Sequence, residues 1–197
     1  MELALKNKRY TYEDYCTWDD EKRWELIDGE AFEMFPSEII AMSPAPFWRH
    51  QSISMAVASQ IYNFLRGKPC QVFAAPFDVR LNADAYDDTV VQPDIVVICD
   101  HTKIKGTGCI GAPDLIIEIL SPATASHDRI RKFNLYRQYG VREYWIIDPE
   151  TKSISTHILE NGRYYTTGYL EADEAPVHIL EGCIINLSEV FIGYGRE

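Results

Sequence analysis

Apolar positions recur with two different periods along this chain, and the switch between them marks the elements. From about Phe47 to Leu65, Ile53, Val57, Ile61 and Leu65 recur every four residues, which is the stripe of a helix facing a core. Gly67-Lys68-Pro69 ends it. Elsewhere the period is two, or the run is continuously apolar. Trp24 to Met34 alternates around Asp28-Gly29, and Ser153–Leu159 with Arg163–Leu170 flank Asn161-Gly162, so both stretches predict hairpins. Gln71–Leu81 predicts a strand broken near Pro76, with a polar turn from Asn82 to Asp88 after it. Short Ile- and Val-rich runs after Pro93 and after Pro113 read as strands buried on both faces, separated by a loop from Asp100 to Gly111. Val141 to Pro149 is a further strand, and Cys183–Leu187 a last one. Two more helices are predicted, a short one over 11–22 and one from His127 to Tyr139. The latter has Thr124 or Ser126 as N-cap and Gly140 as stop.

The middle of the chain therefore reads helix, strand, strand, strand, helix, strand. A helix between the third and fourth strands makes a βαβ crossover, so the fold class is α/β with a mixed central sheet flanked by helices and hairpins added at both ends. At 197 residues the chain is expected to form one domain. Within it lie an N-terminal helix and hairpin (1–46), a core (47–149) and a C-terminal β-hairpin extension (150–197).

Composition narrows the function classes. No apolar run approaches the ~18 residues of a membrane span, and the N-terminus shows no basic segment followed by an apolar one, so no signal peptide and no membrane association are expected. Cys16, Cys70, Cys99, Cys109 and Cys183 are scattered and form no CxxC pair. Neither a zinc knot nor a disulfide framework is expected, and a reducing cytoplasm is the default location. The formal net charge of −11 argues against a protein that coats nucleic acid by bulk electrostatics. The charge is uneven, however. Residues 1–46 hold five Lys/Arg against eleven Asp/Glu, whereas 127–144 hold Arg129, Arg131, Lys132, Arg137 and Arg142 against Asp128 and Glu143. A local basic patch on an acidic body is compatible with a nuclease.

Two carboxylates stand where the pattern asks for apolar residues. Asp94 lies at the mouth of one buried strand, and Glu118 lies between Ile117 and Ile119 inside the next. An ionised carboxylate in a sheet interior costs several kcal/mol unless paired. A divalent cation is one such partner and Lys132 is another. Asp94 could equally cap a strand. Asp128 and Lys132, at i and i+4, also have the spacing of a surface ion pair. Tyr136 and Trp145 read as core, and Asp114 as a structural residue at a strand start.

Glu25-Leu26-Ile27-Asp28-Gly29-Glu30, His50, Pro93-Asp94, Gly111-Ala112-Pro113-Asp114-Leu115 through Glu118-Ile119-Leu120-Ser121, Asp128, Lys132, Tyr136, Gly140-Val141 and Glu143-Tyr144-Trp145 together resemble the PD-(D/E)XK nuclease superfamily. More narrowly, they look like a large bacterial family of restriction endonucleases of unknown target. The resemblance spans residues 24–149 and implies a restriction-endonuclease-like core. It implies that Asp94 and Glu118 hold Mg²⁺ (or Mn²⁺) and that a lysine helps activate water. The superfamily's usual lysine position, two residues after the Glu, is Leu120 here, and Lys132 is the relocated substitute that some branches use. His50 and Glu25 match positions that approach such a site. His50 could also be an idle helix-terminal residue, and Glu25 a hairpin ion-pair partner.

The leading expectation is a metal-dependent endonuclease acting on DNA, with catalytic residues Asp94, Glu118, Lys132, His50 and Glu25 and, by analogy with the fold, a homodimer. The alternative is an inactive nuclease-like module that binds DNA or a protein partner, favoured by Leu120 and the acidic charge. A third reading is a metal-dependent hydrolase of small phosphates.

Overall fold

The two faces of one six-stranded sheet organise the molecule. The computed structural model describes residues 8–20, 22–34, 48–83, 85–120 and 127–192, with the side chains of 127–129 left aside. The elements are α1 (Tyr12–Tyr15), β1 (Trp24–Ile27), β2 (Glu30–Glu33), α2 (Trp48–Leu65), β3 (Gln71–Ala74), β4 (Asp78–Arg80), β5 (Val90–Val91), β6 (Ile95–Ile98), β7 (Ile104–Lys105), β8 (Gly108–Ile110) and β9 (Leu115–Ile119). They continue with α3 (His127–Gln138), β10 (Glu143–Asp148), β11 (Ser153–Glu160), β12 (Arg163–Leu170), β13 (Glu174–Pro176), β14 (Ile184–Asn186) and α4 (Leu187–Val190).

The central sheet runs β12-β11-β10-β9-β6-β3, and only the β9–β10 pair is parallel. That pair is joined through α3, as the βαβ reading required. Odd-numbered residues of β6 and β9 (Ile95, Val97, Leu115, Ile117, Ile119) pack with the Ile53-Val57-Ile61-Leu65 stripe of α2 and with the C-terminal segment. Even-numbered ones (Val96, Ile98, Ile116) face Leu135 and Tyr136 of α3 and a second layer of strands. Glu118 shares this second face.

Both predicted hairpins form, with Asp28 and Asn161 at φ 50° and Gly29 and Gly162 at φ 76° and 75° in the two turns. Gly140, at φ 79°, follows α3 as its stop. Thr124 and Ser126 lie outside the described residues. The helix expected over 11–22 is a single turn, closed by a Thr11–Asp14 capping box.

The chief addition is a second six-stranded sheet, β2-β1-β5-β4-β8-β7. It absorbs the N-terminal hairpin, the residues after Pro76 and most of the segment read as a loop between 100 and 111. Strands of two or three residues leave almost no periodicity in the sequence, which is why β5, β7 and β8 were not legible. The C-terminal strand is likewise half of a small ribbon, β13-β14, capped by α4.

The cysteine expectation needs correction, because Cys70 and Cys99 form a disulfide. The antiparallel register of β3 and β6 sets Gln71 opposite Ile98, so the next positions outward, Cys70 and Cys99, are cross-strand neighbours. No local motif announces a pairing across 29 residues. Cys109 and Cys183 are buried thiols and Cys16 is exposed. No helix among the described residues is long and apolar enough to cross a membrane.

Glu143 fastens the C-terminal segment to the sheet. It is fully buried, and its carboxylate accepts hydrogen bonds from Trp145 Nε1 (2.6 Å) and from the backbone N–H groups of His178 (3.0 Å) and Ile179 (2.8 Å). Glu143→Ala strands three buried donors and is expected to cost about 3 kcal/mol or more, read as a lower urea midpoint, with proteolysis beginning in the 174–192 segment.

Candidate active site

Asp94 and Glu118 meet because of strand register. β6 and β9 are antiparallel with Ile95 opposite Ile117, so one step outward Asp94 stands across from Glu118 on the same face. Asp94 is fixed there by its own side chain, since Oδ2 accepts the backbone N–H of Ile119 at 2.7 Å. Its backbone carbonyl accepts from Ala75 N at 2.9 Å. Glu118 is held from the other side by α3. Lys132 Nζ lies 3.1 Å and Tyr136 Oη 2.7 Å from its Oε1. Those two residues are one helical turn apart, so a single face of α3 delivers both donors.

The second sheet contributes a third carboxylate. Glu25 of β1 is buried, and its Oε1 lies 3.0 Å from Lys132 Nζ and accepts the backbone N–H of Gln92 at 3.0 Å. Gln92 in turn accepts from Arg23 Nε and Nη2 and donates to Tyr15 and Asp78, which ties the approach to Asp94 into the second sheet. From α2, on the opposite face, His50 reaches the open end of β6 and places Nε2 3.2 Å from Asp94 Oδ1. Its Nδ1 is buried without a hydrogen-bond partner among the described residues.

All five sequence-predicted residues, Asp94, Glu118, Lys132, His50 and Glu25, thus converge on one point from four elements and the loop before β6. The side chain of Asp128 lies outside the described residues. Two contributors escaped sequence reading. Tyr136 looked like core, and it is fully buried, but its hydroxyl serves Glu118. Its spacing of four from Lys132 was the available signal. Gln92, two residues before Asp94, carried none. Asp114 is structural as expected, accepting from Cys99 N and from Arg142. Arg142 is therefore engaged within the chain, as is Arg131, whose guanidinium stacks 3.9 Å above Phe32.

Among the described residues three carboxylates, Asp94, Glu118 and Glu25, meet Lys132 and His50, and the charge of Arg23 is also felt at His50. Burial, then the charges of Asp94 and Glu25, push Glu118 up to about 8 against the pull of Lys132 and Tyr136. Burial pulls His50 down, but its hydrogen bond to Asp94 and the charges of Asp94 and Glu118 outweigh it, and the net direction is up. Excess negative charge around two facing carboxylates is what a divalent cation neutralises, so the donor set fits one. Among the described residues no group of three His, Cys, Asp or Glu side chains is placed to hold a metal ion, so the donor set is the facing carboxylate pair alone.

The shift of Glu118 has a direct stability consequence. A carboxyl raised in the fold favours folding most when protonated. The contribution is full below about pH 4.5, the ordinary value, and is lost as pH rises to about 8. The melting temperature of the metal-free protein is expected to fall across that window. Glu118→Gln should flatten the profile, and a calorimetric pH series on both proteins checks it. Tyr136→Phe removes a donor to the carboxylate and should move the apparent Glu118 titration higher.

The chain is similar to known proteins in sequence and in fold. Residues 11–188 match the model of the Uma2 family, described as "Putative restriction endonuclease". An uncharacterized protein of Synechocystis, slr1290, is 28% identical over 164 residues, covering 82% of this chain and 80% of that protein. A crystal structure from Anabaena variabilis, described as "a putative nuclease belonging to DUF820", superposes with a TM-score of 0.71 at 19% identity. It covers 92% of this chain and 97% of the other, and it shows the shared fold.

Proposed function

The chain belongs to the Uma2 family, and from that membership we propose that it is a metal-dependent endonuclease hydrolysing DNA phosphodiester bonds at the Asp94–Glu118–Lys132 cluster. The observation that carries this is the placement of two carboxylates opposite one another across β6 and β9, where burial and then the charges of Asp94 and Glu25 raise Glu118. Asp94 and Glu118 are the residues to hold Mg²⁺ or Mn²⁺. Held there, such a cation would lower the pKa of water and offset the negative charge that develops on the phosphate oxygens. Lys132 is aimed at the same point by Glu25 and Glu118, and its ammonium suits it to orient the attacking water or steady the pentacovalent phosphorus. Tyr136 keeps the Glu118 carboxylate turned toward Lys132. His50, raised in pKa beside Asp94, is the group placed to carry positive charge toward the phosphate from the α2 side. Cutting both strands of a duplex takes two such sites, so a homodimer belongs to the same proposal.

One observation favours a second reading, an inactive nuclease-like module that binds DNA or a protein. Leu120 occupies the position where the superfamily carries its lysine, and Lys132 is already paired with both Glu118 and Glu25 within the chain. Calorimetric titration with Mn²⁺, paired with plasmid nicking on the same samples, separates the two. The wild type is expected to bind the metal and nick, and Asp94→Ala and Glu118→Ala to lose binding and at least about 100-fold in nicking. Lys132→Ala should lose nicking comparably while still binding Mn²⁺. A wild type that takes up no metal at millimolar Mn²⁺ sinks the catalytic reading.

A further inference from the structure

Arg23 stands one step outward from Glu25 on the same side of the N-terminal hairpin. The backbone N–H of Met34 donates to the Arg23 carbonyl at 2.9 Å, which carries the β1–β2 pairing one residue past Trp24. Side chains alternate along such a strand, so Arg23, Glu25 and Ile27 share a face. Ile27 packs into the core layer that includes Ile116 and Tyr136, and Glu25 reaches Lys132. Arg23 is half-buried and Lys22 is exposed, so the row comes out to solvent at Arg23, beside the cluster. The charge of Arg23 is felt at His50, where it opposes protonation.

The guanidinium is held in a set orientation. Nε and Nη2 both donate to Gln92 Oε1, at 3.0 and 2.8 Å. Gln92 is buried and is itself pinned. Its backbone N–H donates to Glu25 Oε1 (3.0 Å), and its Nε2 donates to Tyr15 Oη (2.9 Å) and Asp78 Oδ1 (2.8 Å). These bonds use the Nε side of the guanidinium, so its Nη1–Nη2 end points away from Gln92. The anchor is a neutral amide oxygen, which directs the guanidinium without cancelling its charge. By contrast Arg49, Arg80 and Arg142 lie against Glu150, Asp87 and Asp114, and Lys22 lies against Glu33.

A planar fork of N–H donors suits the non-bridging oxygens of a phosphodiester, which share one negative charge between them. A chain with a net charge of −11 does not draw a polyanion by its overall field, so attachment falls to cations placed at the site. Lys132 is buried between two carboxylates, whereas Arg23 stands where the row reaches solvent. We propose that Arg23 is a phosphate-binding residue of this site, its guanidinium receiving the non-bridging oxygens of a nucleic-acid backbone phosphate, with Gln92 as the positioning residue that aims it. The inference rests on the nucleic-acid reading of the cluster and adds to it the group that seats the substrate.

Fluorescence anisotropy of a labelled duplex oligonucleotide with the full chain, recorded in EDTA and again in Ca²⁺ over a series of salt concentrations, tests this without relying on turnover. Arg23→Gln keeps a hydrogen-bonding side chain and removes the charge. It is expected to weaken binding about 10-fold or more at low salt and to make the slope of log affinity against log salt shallower by about one. Arg23→Lys keeps the charge, so it should restore the slope while recovering only part of the affinity, because a point charge replaces the fork. Thermal unfolding of both variants should match the wild type, and Mn²⁺ affinity of Arg23→Gln should be at or above the wild-type value. An Arg23→Gln protein with unchanged slope and affinity overturns the inference and leaves the nuclease reading standing. So does an equal loss in Arg23→Gln and Arg23→Lys with a lowered melting temperature, which would make Arg23 a brace between β1 and Gln92. A wild type that binds no DNA in either medium overturns this inference together with the nucleic-acid reading. One that binds DNA but no Mn²⁺ sinks the catalytic reading alone, and the Arg23 variants still decide the inference.

Discussion

A carboxylate inside the central sheet has to be compensated, and much of the architecture around residue 118 answers that requirement. Glu118 points to the face covered by α3 and the second sheet, where Lys132 and Tyr136 both approach its Oε1. Lys132 is itself buried and is steadied by Glu25 from β1. Removing one member of such a buried set leaves an uncompensated charge, a penalty of several kcal/mol. The position of α3 in the crossover, the inward aim of β1 and the register of β6 against β9 are thus constrained together. Even so burial and the neighbouring carboxylates outweigh Lys132 at Glu118, whose pKa is pushed up to about 8.

The elements that place the site were legible because each is long enough to show its period. The four-residue stripe of α2, the continuous Ile/Val runs of β6 and β9, and the Asp-Gly and Asn-Gly turns read directly as structure. Asp94 and Glu118 were legible for the opposite reason, as polar residues interrupting an apolar run. Their mutual distance was not, since it depends on the β6–β9 register, which no local pattern encodes. The second sheet was hidden for a related reason. β5 and β7 are two residues each, and such strands exist only because neighbours on both sides supply hydrogen bonds. The Cys70–Cys99 bond belongs to the same class of information. It follows from the β3–β6 pairing and from nothing adjacent to either cysteine.

Acidic residues outside the cluster show the same economy of means. Glu143 lies next to the site in the fold, on β10 beside β9, yet its carboxylate turns to the opposite face and is consumed by Trp145 and two backbone N–H groups. Asp78 likewise accepts from Tyr12, Tyr15 and Gln92 and stays within the second sheet. A buried acid is therefore not by itself a sign of chemistry in this chain. What sets Asp94 and Glu118 apart is that they face one another while their local donors fall short of their charge.

Lys132 reaches the sheet from a helix in a crossover connection rather than from the strand that carries Glu118, and this changes what the site depends on. A lysine two residues along β9 would persist for as long as the sheet did. Here the ammonium and the Tyr136 hydroxyl both depend on one helix being docked on the sheet. Assembly of the cluster is thereby coupled to the docking of α3, and amide exchange along α3 is the observable that reports on it.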